Sequence, residues 1–197
     1  MAELPRAFTQ LRSMVRNDLK QIRKIEKKAP NYAVALLVTI ATEALSQLEG
    51  RADEAVFAED LLGRLHGVPL QVGRVLFDAI RNGLAHVYDT KIIVVGADEI
   101  IVVLSWQKRE HMSVAVEDWL NYGRPRVGVC LNVGTLWTDL DAHFTVFAER
   151  LGKDANLLRR VNENAAKQRR IVSQGEALRT WREFIAVKQN GAGAQRQ

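Results

Sequence analysis

Residues 32–50 read YAVALLVTIATEALSQLEG. From Tyr32 to Thr42 nearly every position is apolar or small, whichever way a helix is turned. A surface helix buries one stripe, whereas a helix that is apolar all round is enclosed by others. The stretch therefore predicts the central helix of a bundle, ended at Gly50. Glu43 breaks the pattern, an acid where the sequence calls for core. A membrane span needs about 20 apolar residues. The run Tyr32–Ala41 stops short of that at Thr42-Glu43, so no membrane span is expected.

Upstream, Leu4, Phe8, Leu11, Val15, Leu19, Ile22 and Ile25 recur at spacings of three and four. That is the stripe of a long amphipathic helix, from near Pro5 to about Lys28. Ala29-Pro30-Asn31 breaks it, because the residue before a proline avoids the helical region. Downstream, a shorter helical piece covers about Asp53 to Leu65, and His66-Gly67-Val68-Pro69 reads as a loop. A third helix runs from Leu70 to Val87 on Val72, Val75, Leu76, Ala79, Ile80 and Leu84. It keeps Asn82-Gly83, although a mid-helix glycine costs about 1 kcal/mol relative to alanine. Close packing or an approaching ligand would justify the pair.

The pattern then changes from period 3.6 to β-branched runs. Residues 91–95 and 100–104 flank the turn-like Gly96-Ala97-Asp98-Glu99 and read as a hairpin. Residues 112–118 and 126–133 add strands, with Cys130 a buried, inert thiol. Helical spacing returns over Leu136–Leu151 and again from about Asp154 to Val187, with Gly175 as an interruption. The fold class is mainly α: a helical bundle with a small antiparallel β-sheet insertion at about 91–133. It forms a single domain over 1–190, with 191–197 a disordered tail.

Composition narrows the classes. The chain has 197 residues and one cysteine, which excludes a disulfide framework and a cysteine-based zinc site. Met1-Ala2-Glu3-Leu4-Pro5 leads into charged sequence without a secretory pattern, so a cytoplasmic protein is expected. The net charge of +5 is uneven: +5 over 1–28, −7 over 29–149 and +7 over 150–197. Basic flanks around an acidic middle could supply phosphate affinity if they met in space. The plainer reading is that these lysines and arginines solvate helix faces.

The chemistry-bearing stretch is Ala79-Ile80-Arg81-Asn82-Gly83-Leu84-Ala85-His86-Val87-Tyr88-Asp89. Metal-independent RNA cleavage needs a base for the 2′-hydroxyl and an acid for the departing 5′-oxygen. Imidazole titrates near neutrality and can do either. A guanidinium can bind the extra negative charge that develops on the phosphorus centre. An arginine followed by histidine after four to six residues is weak evidence alone, expected about once by chance in such a composition. Asn82 and His86 lie one turn apart at i and i+4, whereas Arg81 must use its length to reach the same cleft.

Arg81-Asn82-Gly83-Leu84-Ala85-His86, with Tyr88 two residues on, resembles the nuclease motif of the HEPN family. The segment LLVTIATEALSQLEG, with Glu43 on the helix expected to pack on the motif helix, is similar to the same family. The resemblance covers 31–95 well and 96–152 loosely, and it implies a HEPN-like bundle that dimerises through the motif helix. It further implies an endoribonuclease without metal or cofactor, leaving 2′,3′-cyclic phosphates, of the kind found among toxins and anti-phage effectors. Arg81 and His86 would be catalytic, Asn82 and Glu43 supporting, and Tyr88 a site of modification by a nucleotidyltransferase antitoxin. Other members of the family are non-catalytic RNA- or nucleotide-binding modules, or helical interaction subunits of toxin–antitoxin or defence systems. The β insertion and the long basic last helix depart from the compact family form.

Three further groups read more plainly. Asp139, Asp141 and His143 look like a metal cluster in one dimension, but alternate positions on a helix point apart. Lys167-Gln168-Arg169-Arg170 is a wet basic face. Trp106, Trp119, Trp137 and Trp181 are separated and belong to core or interface rather than to a base-stacking platform.

Overall fold

The computed structural model describes residues 4–25, 31–87, 90–106, 109–117 and 126–168. The chain divides into two units, 1–165 and 166–197, and the architecture below is that of the first. It comprises α1 (Arg6–Ile25), α2 (Asn31–Glu49), a π-helix (Val56–Arg64), α3 (Leu70–Val87), β1 (Ile93–Val95) and β2 (Asp98–Ser105). β3 (Val114–Glu117), β4 (Arg126–Asn132), α4 (Val133–Lys153) and α5 (Ala155–Gln168) follow. The expected end of the first helix at Lys28, the helical continuation to Val187 and the tail 191–197 lie outside the described residues, as do Tyr88, Trp119, Trp181 and Arg169-Arg170.

α2 is central, as its all-round apolar pattern demands. It touches α1, α3, α4, the π-helix and β2, and Val34, Ala35, Val38, Ala41 and Leu45 are fully buried. Gly50 ends it with φ 72°. The Arg51 N–H reaches back to the Ser46 carbonyl at 2.9 Å and the Gly50 N–H to Gln47 at 3.1 Å. This is the left-handed C-terminal closure that glycine adopts without steric penalty. Asn164 of α5 donates to the Leu48 carbonyl at 3.1 Å and so satisfies another acceptor of the last turn. α1 packs on α4 through Phe8, whose ring lies 5.2 Å from Phe147 and 6.1 Å from Phe144.

The piece expected as a helix over 53–65 is a π-helix. Such helices are rare and mostly a single turn, and this one is nine residues long. α3 lies against it, with Phe57 and Phe77 5.6 Å apart. The approach is closest at Gly73, where a Cβ would stand 3.0 Å from Ala58 Cα. Gly73→Ala should lose about 1 kcal/mol in urea unfolding: an overpacking penalty of roughly 1–3 kcal/mol exceeds the helix-propensity gain of about 1 kcal/mol. Gly152→Ala on α4 meets nothing within 4 Å, so it should be neutral or gain up to about 0.5 kcal/mol.

The β insertion is a four-stranded sheet of order β1-β2-β4-β3. The hairpin is there, Ile93 opposite Ile100, and β3 runs antiparallel to β4 with Val116 opposite Val127. The central pair corrects the antiparallel expectation: β2 and β4 run parallel, Ile100 opposite Val127 and Leu104 opposite Leu131. Tight-turn signals fix direction only between strands joined by a hairpin, and β4 reaches its place between β2 and β3 by a longer route. Val102 and Leu131 of the two central strands carry the sheet into the helical core, while Val95 on the edge strand β1 and Val114 and Val116 on the edge strand β3 are exposed.

Candidate functional site

α3 buries Leu76, Ile80 and Leu84 and turns Arg74, Asp78, Arg81 and Asn82 toward the opposite side. These four line a cleft of about 330 Å³ together with Glu43 of α2 and Asp53 and Glu54 of the turn before the π-helix. The acid that interrupts the α2 pattern has its reason here. Arg81 donates from Nε to Glu43 Oε2 at 2.7 Å, with the two side chains 30% and 22% exposed. The pair ties α3 to α2 across the cleft wall. Arg74 pairs with Glu54 at 3.0 Å, and Asn82 Nδ2 donates to Asp78 one turn before it.

His86 stands in the last turn of α3, one turn beyond Asn82; its side chain, and Tyr88 entirely, lie outside the described residues. The structure thus brings together Arg81, Glu43 and Asn82 of the expected set. Gly83 is buried. Because Arg81 meets Glu43 through Nε, the fork of terminal nitrogens that binds two anion oxygens has no hydrogen bond among the described residues. The rim nevertheless carries four carboxylates, Glu43, Asp53, Glu54 and Asp78, against two guanidiniums.

Two polar clusters were not foreseen. The first is a buried charge network where α2 meets the π-helix. Glu49 and Asp60 are 5% and 3% exposed. Arg51 spans them, 3.1 Å from Glu49 and 2.6 Å from Asp60, and adds Glu59 at 2.8 Å. Burial alone would lower the Arg51 guanidinium, but the Asp60 and Glu59 carboxylates outweigh it and hold it above its ordinary value. Arg64 also pairs with Asp60, at 2.6 Å. Only the i, i+4 spacing of Asp60 and Arg64 inside an apolar stretch hinted at this in the sequence.

The second cluster joins three elements. His66 Nε2 and Asp139 Oδ2 of α4 are 2.7 Å apart, and the His66 ring lies 4.5 Å from that of His111. Asp141 instead pairs with Arg16 of α1 at 2.6 Å, and His143 is buried with its ring stacked on Phe147. Asp139, Asp141 and His143 therefore part company as helix geometry requires. Among the described residues no group of three His, Cys, Asp or Glu side chains could hold a metal ion.

Burial, with His66 nearby, pushes His111 down to about 4. Its Nδ1 accepts the Asn132 N–H at 3.1 Å, which requires the neutral ring. The unfolded chain therefore binds more protons than the folded one between pH 6.5 and 4, and stability falls as pH drops through that window. Thermal midpoints measured from pH 7 to 4 should fall less steeply in His111→Gln than in the wild type; equal slopes would contradict the assignment.

Fold and cleft together define a mainly helical protein with a small mixed sheet. The chain matches no family model, and no significant similarity links it to a curated protein or a solved structure.

Proposed function

We propose that the protein is a metal-independent endoribonuclease of the HEPN type, a cytoplasmic toxin or anti-phage effector acting as a homodimer through α3. The observation that carries the reading is the Glu43–Arg81 pair. A carboxylate from α2 holds the guanidinium by one edge at 2.7 Å, over an open cleft on the helix that carries His86. Arg81 would bind the scissile phosphate and His86 would transfer protons, with Asn82 in support. A nucleotidyltransferase antitoxin modifying Tyr88 would be its regulator. A mainly apolar groove of about 410 Å³ lies between Asp18, Gln21 and Ile22 of α1 and Leu36, Leu37 and Ile40 of α2, and reaches α3 only at Leu84. No helix among the described residues is long and apolar enough to cross a membrane.

Four carboxylates against two guanidiniums oppose the entry of a phosphate into the cleft, which weighs against cleavage there and favours a second reading, in which the protein is a non-catalytic RNA- or nucleotide-binding module or a helical interaction subunit. One experiment separates them. Purified wild type, Arg81→Ala and His86→Ala are incubated in EDTA with end-labelled RNA, and the termini and oligomeric state are assayed. Cleavage leaving 2′,3′-cyclic phosphates, absent from both variants while they still dimerise, is the expected result. Equal background in all three, with RNA bound in a salt-dependent manner, would give the protein to the binding reading.

A further inference from the structure

Trp106 and Trp137, 31 positions apart in sequence, line one cleft of about 340 Å³ with Asn132, Thr135, Thr138 and Asp139. It lies on the first turn of α4, apart from Arg81 in both residues and elements. Its size is that of a small-molecule pocket, and its walls are assembled from Trp106 just after β2, Asn132 at the end of β4, and α4.

The polar side of the cleft is held in place from behind. Asp139 is fixed by His66 at 2.7 Å. His66 in turn packs against His111, which is anchored on the Asn132 N–H. That hydrogen bond also decides against a metal. It leaves the Nδ1 lone pair of His111 occupied and the proton on Nε2, so Nε2 has no lone pair to give an ion. The two imidazoles are positioning residues for Asp139 and Asn132.

Two indoles beside a carboxylate suit either a cation or a planar, hydrogen-bonding ring. The N-terminal end of a helix disfavours a cation, and Gly134 and Thr135 of the first turn of α4 form part of the wall. A carboxylate is acceptor-only and binds best to two adjacent donors. Among the nucleobases, guanine presents such a pair, N1–H and the 2-amino group. The Thr135 hydroxyl stands on the same wall for its O6 acceptor, whereas the Thr138 hydroxyl donates to the Gly134 carbonyl at 3.0 Å. We propose that this cleft binds a guanine base, stacked on Trp106 and Trp137 and held by Asp139. The source of the base is a guanine nucleotide or an unpaired guanine in RNA.

Calorimetric titration of the full chain with guanosine, inosine and adenosine tests this without reference to RNA cleavage. Guanosine should bind at least about ten-fold more tightly than inosine, which lacks the 2-amino donor, because hydrogen bonds to a charged acceptor are worth that much. Adenosine should bind more weakly still. Asp139→Asn should abolish the guanosine preference. Thr138→Arg, an exposed position on the cleft rim, should block binding without breaking the His66 pair, so the test survives if Asp139→Asn fails to fold. GTP against a short guanine-containing oligonucleotide then identifies the source. No guanosine binding by the wild type, equal binding of adenosine, or full guanosine binding by a folded Thr138→Arg would overturn the proposal. Because Arg81→Ala should leave this binding unchanged, its failure is distinguishable from failure of the nuclease reading.

Discussion

Arg51→Met is expected to lose roughly 3–5 kcal/mol of folding stability, the range for breaking a buried ion pair from one side. The methionine keeps the length of the side chain and removes the charge. Glu49 and Asp60 are 5% and 3% exposed and would lose their shared cation. Asp60 keeps Arg64 at 2.6 Å. Among the described residues Glu49 keeps only Arg150, at 3.9 Å, too distant for a hydrogen bond. Since a domain's entire stability is about 5–15 kcal/mol, this one change should visibly shift urea unfolding. Arg64→Met is the control: its side chain is 67% exposed, and surface pairs are worth about 0–1 kcal/mol. If the two variants lose equal amounts, the network is not held by Arg51.

The helices were legible because apolar spacing is a local signal. α3 occupies Leu70–Val87 as its stripe prescribes, and Gly50 stops α2 because the left-handed turn needs a glycine. The direction of β4 was not legible, since strand pairing across a long connection leaves no mark at either strand. The π-helix was not legible either: Val56–Arg64 shares the composition of an α-helix, and no local signal marks its wider turn. The site divides in the same way. Glu43 stood out as an acid in an apolar run, and its pairing with Arg81 follows once α2 and α3 pack. Two of the acids around that pair, Asp53 and Glu54, come from the turn before the π-helix, and the Trp106–Trp137 cleft forms where the end of the sheet meets α4. Those neighbours are made by tertiary contact, so counting residues along the chain could not reveal them.

A large effect on activity is expected at Arg81. Losing one positioned donor to a developing anion typically reduces turnover by about 10²–10³, and Arg81→Ala should fall in that range in single-turnover RNA cleavage. His86→Ala should lose about 10²–10⁴, the contribution of a positioned proton donor or acceptor. Glu43 tests the arrangement more sharply. It touches Arg81 through Nε and, in this reading, no reacting atom. Glu43→Ala should leave the guanidinium unaimed and lower turnover by up to about 10², the effect of a misplacement on the order of 1 Å. Glu43→Gln keeps an acceptor oxygen at the same place and should recover most of that loss. Arg81→Lys should not, because an ammonium cannot hold a carboxylate with one edge and a phosphate with another. Rescue by glutamine but not by lysine is the signature of a positioned fork. Full activity in Glu43→Ala would mean that the pair only ties α2 to α3, and the loss would then appear in the unfolding midpoint instead.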